Sequence, residues 1–308
     1  MDYKKVNLVY FSGTGGTAKV VDAFEKAFLN HSIDIERTEL NRKYEPASLG
    51  DLLVVLFPVY AFNAPTPIDE WIKEVPMGQG RPAAVISVSG GGEISPNTAC
   101  RVGTIRRLKR KGYHVVYEKM FVMPSNFLVK YDDSLCAMML RAAPEVAEKA
   151  VTELLEGVQR RTIPYGIDRL ASMLGFWEKK GSKIFGKHLS VKDNCIGCSW
   201  CETHCPRENI RLYNSRPVFG NDCVLCLRCV YGCPQQAIIP GIGKFMVVNG
   251  GFNISKIEIR MKHVTVFPRI EDVAKGPMLK GVRDYLMESS NNAESTQEKS
   301  LLETHTKI

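Results

Sequence analysis

The feature that most constrains this chain of 308 residues is a duplicated cysteine run. Each run contains four cysteines and ends in Cys-Pro, and the two read Cys195-x2-Cys198-x2-Cys201-x3-Cys205-Pro206 and Cys223-x2-Cys226-x2-Cys229-x3-Cys233-Pro234. Each cysteine of the second run follows its counterpart by 28 positions (for example 223 − 195), and Ile210 and Ile238 keep this offset. A repeat of this kind indicates two copies of one small folding unit.

The spacing of the runs resembles that of bacterial ferredoxins that hold two [4Fe–4S] clusters. In that arrangement three thiolates of each cluster come from one Cys-x2-Cys-x2-Cys loop and the fourth comes from the other run. The resemblance implies one cluster on Cys195, Cys198, Cys201 and Cys233, and the other on Cys223, Cys226, Cys229 and Cys205. Structural zinc sites also use Cys-x2-Cys, but they leave the third close cysteine and both Cys-Pro endings unexplained.

The remaining cysteines and the apolar runs bear on the compartment. Eight of the ten cysteines lie in the two runs, so their abundance does not indicate disulfides and favours a reducing cytoplasm. Cys100 and Cys136 are expected to be buried structural thiols. No secretory signal is evident, and the longest apolar run, Leu52 to Ala61, is too short to span a bilayer.

The chain begins with a strand-like segment, Val6 to Phe11, and a hydroxyl- and glycine-rich turn precedes a helical pattern through Phe28. The turn consists of Ser12, Gly13, Thr14, Gly15, Gly16 and Thr17. Its backbone N–H groups and the helix dipole favour an anion, and it has neither the Walker lysine nor the Gly-x-Gly-x-x-Gly fingerprint. Hydroxyls and amides alone suit the phosphate of FMN. The turn resembles the phosphate loop of flavodoxins, and the alternative is a turn without a ligand.

Further strands are predicted at 33–39, 52–57, 83–88 and 114–122. They alternate with helices at 68–75, 97–111 and 131–159, the last broken or bent near Pro144. This alternation predicts an α/β fold with a parallel sheet and helices on both faces. A flavodoxin-like strand order 2-1-3-4-5 places the ligand at the carboxyl ends of strands 1, 3 and 4.

The ends of strands 3 and 4 supply the other candidate flavin residues, which are Pro58, Tyr60, Phe62, Asn63, Ser89, Gly90, Gly91 and Gly92. An aromatic ring can stack on the flavin, and glycines allow the main chain to approach it closely. Ordinary packing of Tyr60 and Phe62, and a merely flexible glycine loop, are the alternatives. Asn126, after strand 5, is a weaker candidate for the flavin site, and a turn or capping role is favoured for it.

The predicted organisation has four parts: a flavodoxin-like domain at 1–160, an amphipathic linker helix at 161–187, a small α+β ferredoxin-like domain at 188–248 and a C-terminal extension at 249–308. The linker residues Leu170, Met173, Leu174 and Trp177 follow helical spacing and are expected to pack against one domain. Trp200 and His204 are expected to shield a cluster. About the last 20 residues are expected to be mobile.

The formal charge of +8 overstates the basic character of the loaded protein. Each cluster with its thiolates carries about −2 and the FMN phosphate about −2, which leaves about +2 (8 − 2 − 2 − 2) and does not favour a nucleic-acid partner. The basic run from Arg101 to Lys111 is expected to form the solvated face of a helix, with docking of an acidic redox partner as the less favoured role.

The order of the two domains resembles a family of fused flavodoxin–ferredoxin proteins from anaerobic prokaryotes, over nearly the whole chain. The resemblance implies cytoplasmic electron transfer with FMN, two [4Fe–4S] clusters and a redox partner protein as donor or acceptor. No catalytic residue is evident, so an electron carrier is favoured over a ferredoxin-fed flavoenzyme that reduces a quinone or nitro compound. A redox or oxygen sensor is the weakest reading, and a homo-oligomer is left open.

Overall fold

A five-stranded parallel sheet organises the first half of the computed structural model, which describes residues 1–41 and 48–290, with backbone alone at 174, 176 and 178. Its strands are β1 (Lys5–Tyr10), β2 (Asp34–Glu39), β3 (Leu52–Pro58), β4 (Pro82–Ser89) and β5 (His114–Val122). They pair in the order β2-β1-β3-β4-β5. This order confirms the predicted flavodoxin-like topology.

Helices cover both faces of the sheet. Leu8 packs in one core with α1 (Gly16–Asn30) and α4 (Asp133–Leu155). Val9, the next residue of β1, points the other way and packs with α2 (Thr66–Glu74) and α3 (Val102–Arg110). The predicted break near Pro144 is wrong, because α4 continues through this residue as a single helix with Val146 and Ala147 fully buried beyond it.

The basic run before β5 is only partly solvated. Arg106, Lys109 and Arg110 are exposed as expected. Arg101 is fully buried, so its predicted exposure is wrong. Its Nε donates to Glu118 Oε2 at 2.8 Å and its Nη1 to Ser87 Oγ at 2.8 Å, which places it in a polar network beneath the sheet end. Cys100 and Cys136 are buried, as expected.

The cysteine-rich segment forms a small α+β unit after the helix α5 (Gly166–Lys187). Strand β6 (Ser190–Val191) pairs with β9 (Ile238–Ile239), and β7 (Ile210–Tyr213) pairs with β8 (Arg216–Phe219), both antiparallel. The β7–β8 turn is Asn214-Ser215, with φ of 48° and 59°, a typical two-residue hairpin turn. Two short helices contain the third cysteine of each run: α6 (Trp200–Thr203) contains Cys201 and α7 (Arg228–Gly232) contains Cys229.

The C-terminal segment returns to the first half of the chain. After a 3₁₀ turn (Gly241–Met246) come α8 (Ile254–Met261), α9 (Ile270–Val273), a second 3₁₀ turn (Pro277–Leu279) and a last helix, α10, at 280–290. Ile254, Ala274 and Val282 pack in the core that contains α1 and α4. The tail expected to be mobile falls almost wholly on residues 291–308, outside the described residues. Among the described helices, none has the length and apolarity to cross a membrane.

The linker helix differs from its prediction. The side chains of Leu170, Met173 and Trp177 are 60%, 74% and 66% exposed, so they do not pack against either domain, and the side chain of Leu174 lies outside the described part of the chain. Among the described side chains of α5, those that face the protein include Asp168, which is buried, Ser172, which is bonded to the loop after β3, and Phe185, which packs with Leu227 and Ile238 near the end of the helix.

Candidate functional site

A cavity of about 780 Å³ lies at the carboxyl ends of β1, β3, β4 and β5. Its wall contains ten of the fourteen residues proposed from the sequence for the flavin: Gly13, Thr14, Gly16, Thr17, Pro58, Tyr60, Phe62, Ser89, Gly90 and Gly91. The three loops predicted to face one ligand therefore do meet at one cavity, whose volume is typical of cofactor sites.

Four proposed residues lie off this wall and have other contacts. The Ser12 hydroxyl accepts from Ala18 N at 3.3 Å, inside the first turn of α1. Gly15 precedes α1 with φ of 98°. The Asn63 amide donates to Ser172 O at 2.7 Å and so holds α5. Gly92 packs against the main chain of Gly281 in α10.

The turn before α1, residues 12–17, has unsatisfied hydrogen-bond donors that suit an anion, and we call it the phosphate turn. The Thr17 hydroxyl is buried and has no hydrogen-bond partner within residues 1–41 and 48–290. The Thr14 hydroxyl accepts from Asn126 Nδ2 at 2.7 Å, which leaves its own proton free to be donated. An unsatisfied buried hydroxyl is costly, and a phosphate oxygen beside the helix N-terminus would satisfy it. These groups fit the phosphate of FMN.

The loop after β3 is tightly folded at the cavity edge. Tyr60 and Asn63 exchange two backbone hydrogen bonds of 2.9 Å, with Ala61 and Phe62 between them at φ of 40° and 63°. Left-handed conformations at residues other than glycine cost free energy and cluster at ligand sites. The turn holds both aromatic side chains at the cavity wall, although Tyr60 also packs edge-on against Phe11, with ring centroids 6.4 Å apart.

Sequence reasoning missed part of the wall. The segment after β5 contributes Met123, Lys130 and Tyr131, and the C-terminal segment contributes Val273, Lys275, Met278 and Leu279. Asn126, the weaker candidate from the sequence, also lines the cavity, and its side chain bonds Thr14. No sequence signal indicates the C-terminal part, since its residues reach the cavity only by tertiary packing.

Four cysteines from the two runs surround one small cavity in the α+β unit. They are Cys195, Cys198, Cys201 and Cys233, which we call the outer set. Trp200 lines the same cavity, and its ring stacks on His204 with centroids 4.1 Å apart. Three cysteines of the first run thus meet the last cysteine of the second, as the crossed pattern requires.

The other four cysteines, Cys223, Cys226, Cys229 and Cys205, form the inner set. Burial, together with the nearby sulfurs of Cys226 and Cys205, raises the pKa of the Cys223 thiol to about 12. Burial likewise raises the pKa of Cys229, with Cys226, Cys223 and Cys205 adding to the effect. The four sulfurs are therefore electrostatic neighbours, and a bound cationic centre would favour their thiolates.

Neither set is drawn together around one ion. Among the residues described, no three His, Cys, Asp or Glu side chains converge closely enough to hold a single metal ion. A four-iron cluster is held by four thiolates on four different irons, so it separates its ligands further than one ion does. The donor chemistry of both sets, four thiolates each, fits such a cluster.

The inner set touches the phosphate turn directly. A Cβ at Gly13 would lie 2.9 Å from Cys226 O and 2.6 Å from the Tyr60 hydroxyl, so glycine is needed there. Arg228 donates from Nη2 to Ser12 O at 2.6 Å and from Nε to Gly13 O at 2.8 Å. Its Nη2 also pairs with Glu39 at 2.8 Å. These contacts join the turn to the start of α7.

Tyr231 makes a second connection between the cysteine-rich unit and the cavity. This residue lies between Cys229 and Cys233 in the sequence. Its hydroxyl donates to Asn126 O at 2.6 Å and accepts from Val248 N at 2.8 Å. Asn126 in turn bonds Thr14, so a chain of three residues links α7 to the phosphate turn. Farther away, Arg207 pairs with Glu70 of α2 at 2.6 Å.

The chain matches no family model and no curated protein. Solved structures similar to it include a flavodoxin from the domain Archaea (16% identity, 48% of this chain and 99% of that chain, TM-score 0.33). Others are general stress protein 14 from Treponema denticola in complex with FMN (16%, 50% and 99%, TM-score 0.37) and a Fusobacterium nucleatum flavodoxin bound to flavin mononucleotide (16%, 50% and 98%, TM-score 0.37). At these low values, the fold assignment rests on the strand order of this chain.

Proposed function

We propose that this protein transfers electrons and couples two [4Fe–4S] clusters to an FMN within one chain. The observation that carries the proposal is the junction between the inner set and the phosphate turn, where Cys226 packs on Gly13. A cysteine proposed as a cluster ligand thereby lies in van der Waals contact with a turn proposed to hold the flavin.

The inner set would hold one cluster and the outer set the other. Clusters exchange single electrons, and flavin exchanges one or two, so together they can connect one-electron carriers to two-electron chemistry. In this proposal the residues of the chain bind and orient. Thr14, Thr17 and the amides of the turn hold the phosphate, while Phe62 and Tyr60 face the ring system.

The wider setting belongs to the same proposal. We infer membership of the fused flavodoxin–ferredoxin family, a cytoplasmic location and a separate redox protein as electron donor or acceptor. Eight thiols held for clusters favour a reducing compartment. The division into domains at 1–160, 161–187, 188–248 and 249–308 remains a prediction.

A second function is favoured by one feature. Another cavity, of about 620 Å³, adjoins the first and shares Ser125, Lys130, Tyr131 and Asp132 with it. It offers room for a small acceptor, such as a quinone or a nitro compound, next to the proposed flavin. Turnover with such an acceptor, at rates exceeding electron delivery to a protein partner, would favour this enzyme over the carrier.

Cofactor content tests the proposal first. Protein purified and reconstituted without oxygen should contain about eight iron and eight sulfide per chain, from two four-iron clusters. It should also bind one FMN. Stoichiometric zinc in place of iron would contradict the proposed clusters, and a protein that contains no flavin and fails to bind added FMN would contradict the flavin.

The phosphate turn is tested by replacing Thr14 with Ala and Thr17 with Val. Each hydrogen bond to the charged phosphate contributes on the order of 1.5–3 kcal/mol. The double variant should therefore bind FMN at least tenfold more weakly in a fluorescence titration. Riboflavin, which has no phosphate, should bind the parent weakly and lose little further affinity.

Thr104→Val supplies a matched control, because the Thr104 hydroxyl is also buried and, among the described residues, also has no partner, but it lies away from the cavity. This variant should bind FMN as the parent does. Equal affinity of the parent for FMN and riboflavin would remove the phosphate turn from the proposal.

A further inference from the structure

The helix α5 and the residues just before it expose an apolar stripe. Its six members in the N-terminal and central part are between 60% and 88% exposed: Ile163, Tyr165, Ile167, Leu170, Met173 and Trp177. Ile184, about two helical turns after Trp177, is 51% exposed. From Ile167 to Ile184 the stripe extends about 26 Å along the helix. Contiguous exposed apolar surface of this kind marks an interaction site.

Polar attachments fix this orientation of α5. Asp168 is buried and accepts hydrogen bonds from Ser95 and Thr98. The Ser172 hydroxyl donates to Asn63 Oδ1 at 2.8 Å. Farther along, Lys179 pairs with Asp69 of α2. Turning the apolar stripe toward the protein would break all these contacts, so the stripe stays directed outward.

Basic side chains border the stripe. The helix contains five Lys or Arg and two acidic residues, and one of the acids, Asp168, is buried. Arg169, Lys180, Lys183 and Lys187 are exposed. The Lys180 ammonium lies 5.5 Å from the centre of the Trp177 ring, where the apolar stripe meets the basic border. The occupant of this face must accept both apolar and cationic groups.

We propose that α5 docks on the surface of an anionic lipid bilayer. Apolar residues on one side, with tryptophan and tyrosine among them, and lysines along the border are the features of helices that lie in a membrane interface. In that position the stripe enters the acyl boundary and the lysines reach the lipid phosphates.

The same features disfavour the other occupants. Two copies of the chain joined by this face would bring the same lysines together, and like charges repel. Protein interfaces are depleted in lysine, whereas this border is rich in it. A bilayer surface can also accommodate an apolar stripe on a helix without a groove shaped to fit that helix.

Cosedimentation of the anaerobically prepared full-length protein with lipid vesicles tests the proposal. The protein should bind vesicles of phosphatidylcholine with phosphatidylglycerol, bind vesicles of phosphatidylcholine alone at least tenfold more weakly, and dissociate as salt is raised. Replacing Leu170, Met173 and Trp177 together by Gln should weaken binding at least tenfold. Replacing Lys180, Lys183 and Lys187 by Gln should weaken it on the order of 100-fold.

The matched control is Ile259→Gln with Val266→Gln, which removes two exposed apolar side chains elsewhere and should leave vesicle binding unchanged. Iron content and FMN binding should be unchanged in every variant, so this test is independent of the proposed redox function. Failure of the parent to bind anionic vesicles would overturn the proposal. So would equal binding to both kinds of vesicle, or a dimer of the parent that the triple Gln variant at 170, 173 and 177 abolishes.

Discussion

The outer and inner cysteine sets have the same spacing in sequence but different surroundings. In the loop of the outer set Cys198 is exposed, and the neighbouring Ile196 is 64% exposed. In the loop of the inner set Cys226 and the neighbouring Val224 are buried, and both pack in the core beneath the sheet with Phe11. Equivalent positions of the repeat thus have opposite access to solvent.

This difference shows that a duplicated motif determines the spacing of its cysteines, whereas the surrounding packing determines how far they are exposed to solvent. The repeat sets the spacing of the cysteines in each set. The packing of the second run against the phosphate turn makes the inner set internal, and the outer set remains near the surface. Solvent exposure and hydrogen bonding tune cluster potential, so we expect two clusters of different potential. The outer set is then the one suited to exchange with a partner protein.

The strongest test of the inner junction is Gly13→Ala. The added Cβ would lie 2.9 Å from Cys226 O, and overpacking of this kind costs about 1–3 kcal/mol. We expect a lower melting temperature of the flavin-free protein and weaker FMN binding. Gly16→Ala, whose Cβ would lie 3.7 Å from Met123, should leave the melting temperature equal or higher. Equal destabilisation by both changes would show that Gly13 has no special contact.

The next effect concerns the arginine that joins the two parts. Arg228→Gln removes charged hydrogen bonds to Ser12 O and Gly13 O, and we expect roughly tenfold weaker FMN binding by fluorescence titration. Arg216 is a matched residue beside the outer set, bonded to Lys192 O at 2.9 Å and Asp193 at 3.1 Å. Arg216→Gln should leave FMN binding unchanged, and a similar loss in both would place the effect outside the junction.

Much of this comparison could not be predicted from the sequence. The parallel sheet followed from the alternation of apolar segments and ten cavity residues followed from the strand ends, because both depend on local pattern, whereas the strand order followed from the resemblance to flavodoxins. The contacts of Arg228 and Tyr231 join segments more than 100 residues apart, and no local pattern encodes them. The predicted packing of the linker helix was wrong for a different reason. Its apolar spacing correctly indicated a helix but could not indicate which side of that helix faces the protein.

The smallest expected effect concerns α10, which packs in the core that contains α1 and α4. Burial raises the pKa of Glu288, but Lys119, at 2.7 Å, outweighs this and holds the pKa below its ordinary value. The ion pair therefore stabilises the fold above the ordinary pKa and is lost as the pH falls through the lowered one. Proteolysis of α10 should accelerate across that range, while cleavage near the outer β7–β8 hairpin should not.

Glu288→Gln should make α10 more susceptible at neutral pH and flatten its response to acid. Asp284→Asn removes an exposed pair with Lys280 on the same helix and should change neither property. A parent response that is unchanged in Glu288→Gln would assign the acid sensitivity to other groups.

The central claim is that the inner set, with Cys205 as its fourth member, holds the cluster beside the flavin. The most direct measurement compares Cys205→Ser with Cys233→Ser, by iron content, cluster spectroscopy and FMN titration on anaerobic protein. Each variant should lose about half the iron. Cys205→Ser should lose the cluster of Cys223, Cys226 and Cys229 and bind FMN more weakly, whereas Cys233→Ser should lose the outer cluster and retain FMN. Weaker FMN binding in Cys233→Ser alone, with the inner cluster lost, would contradict the account.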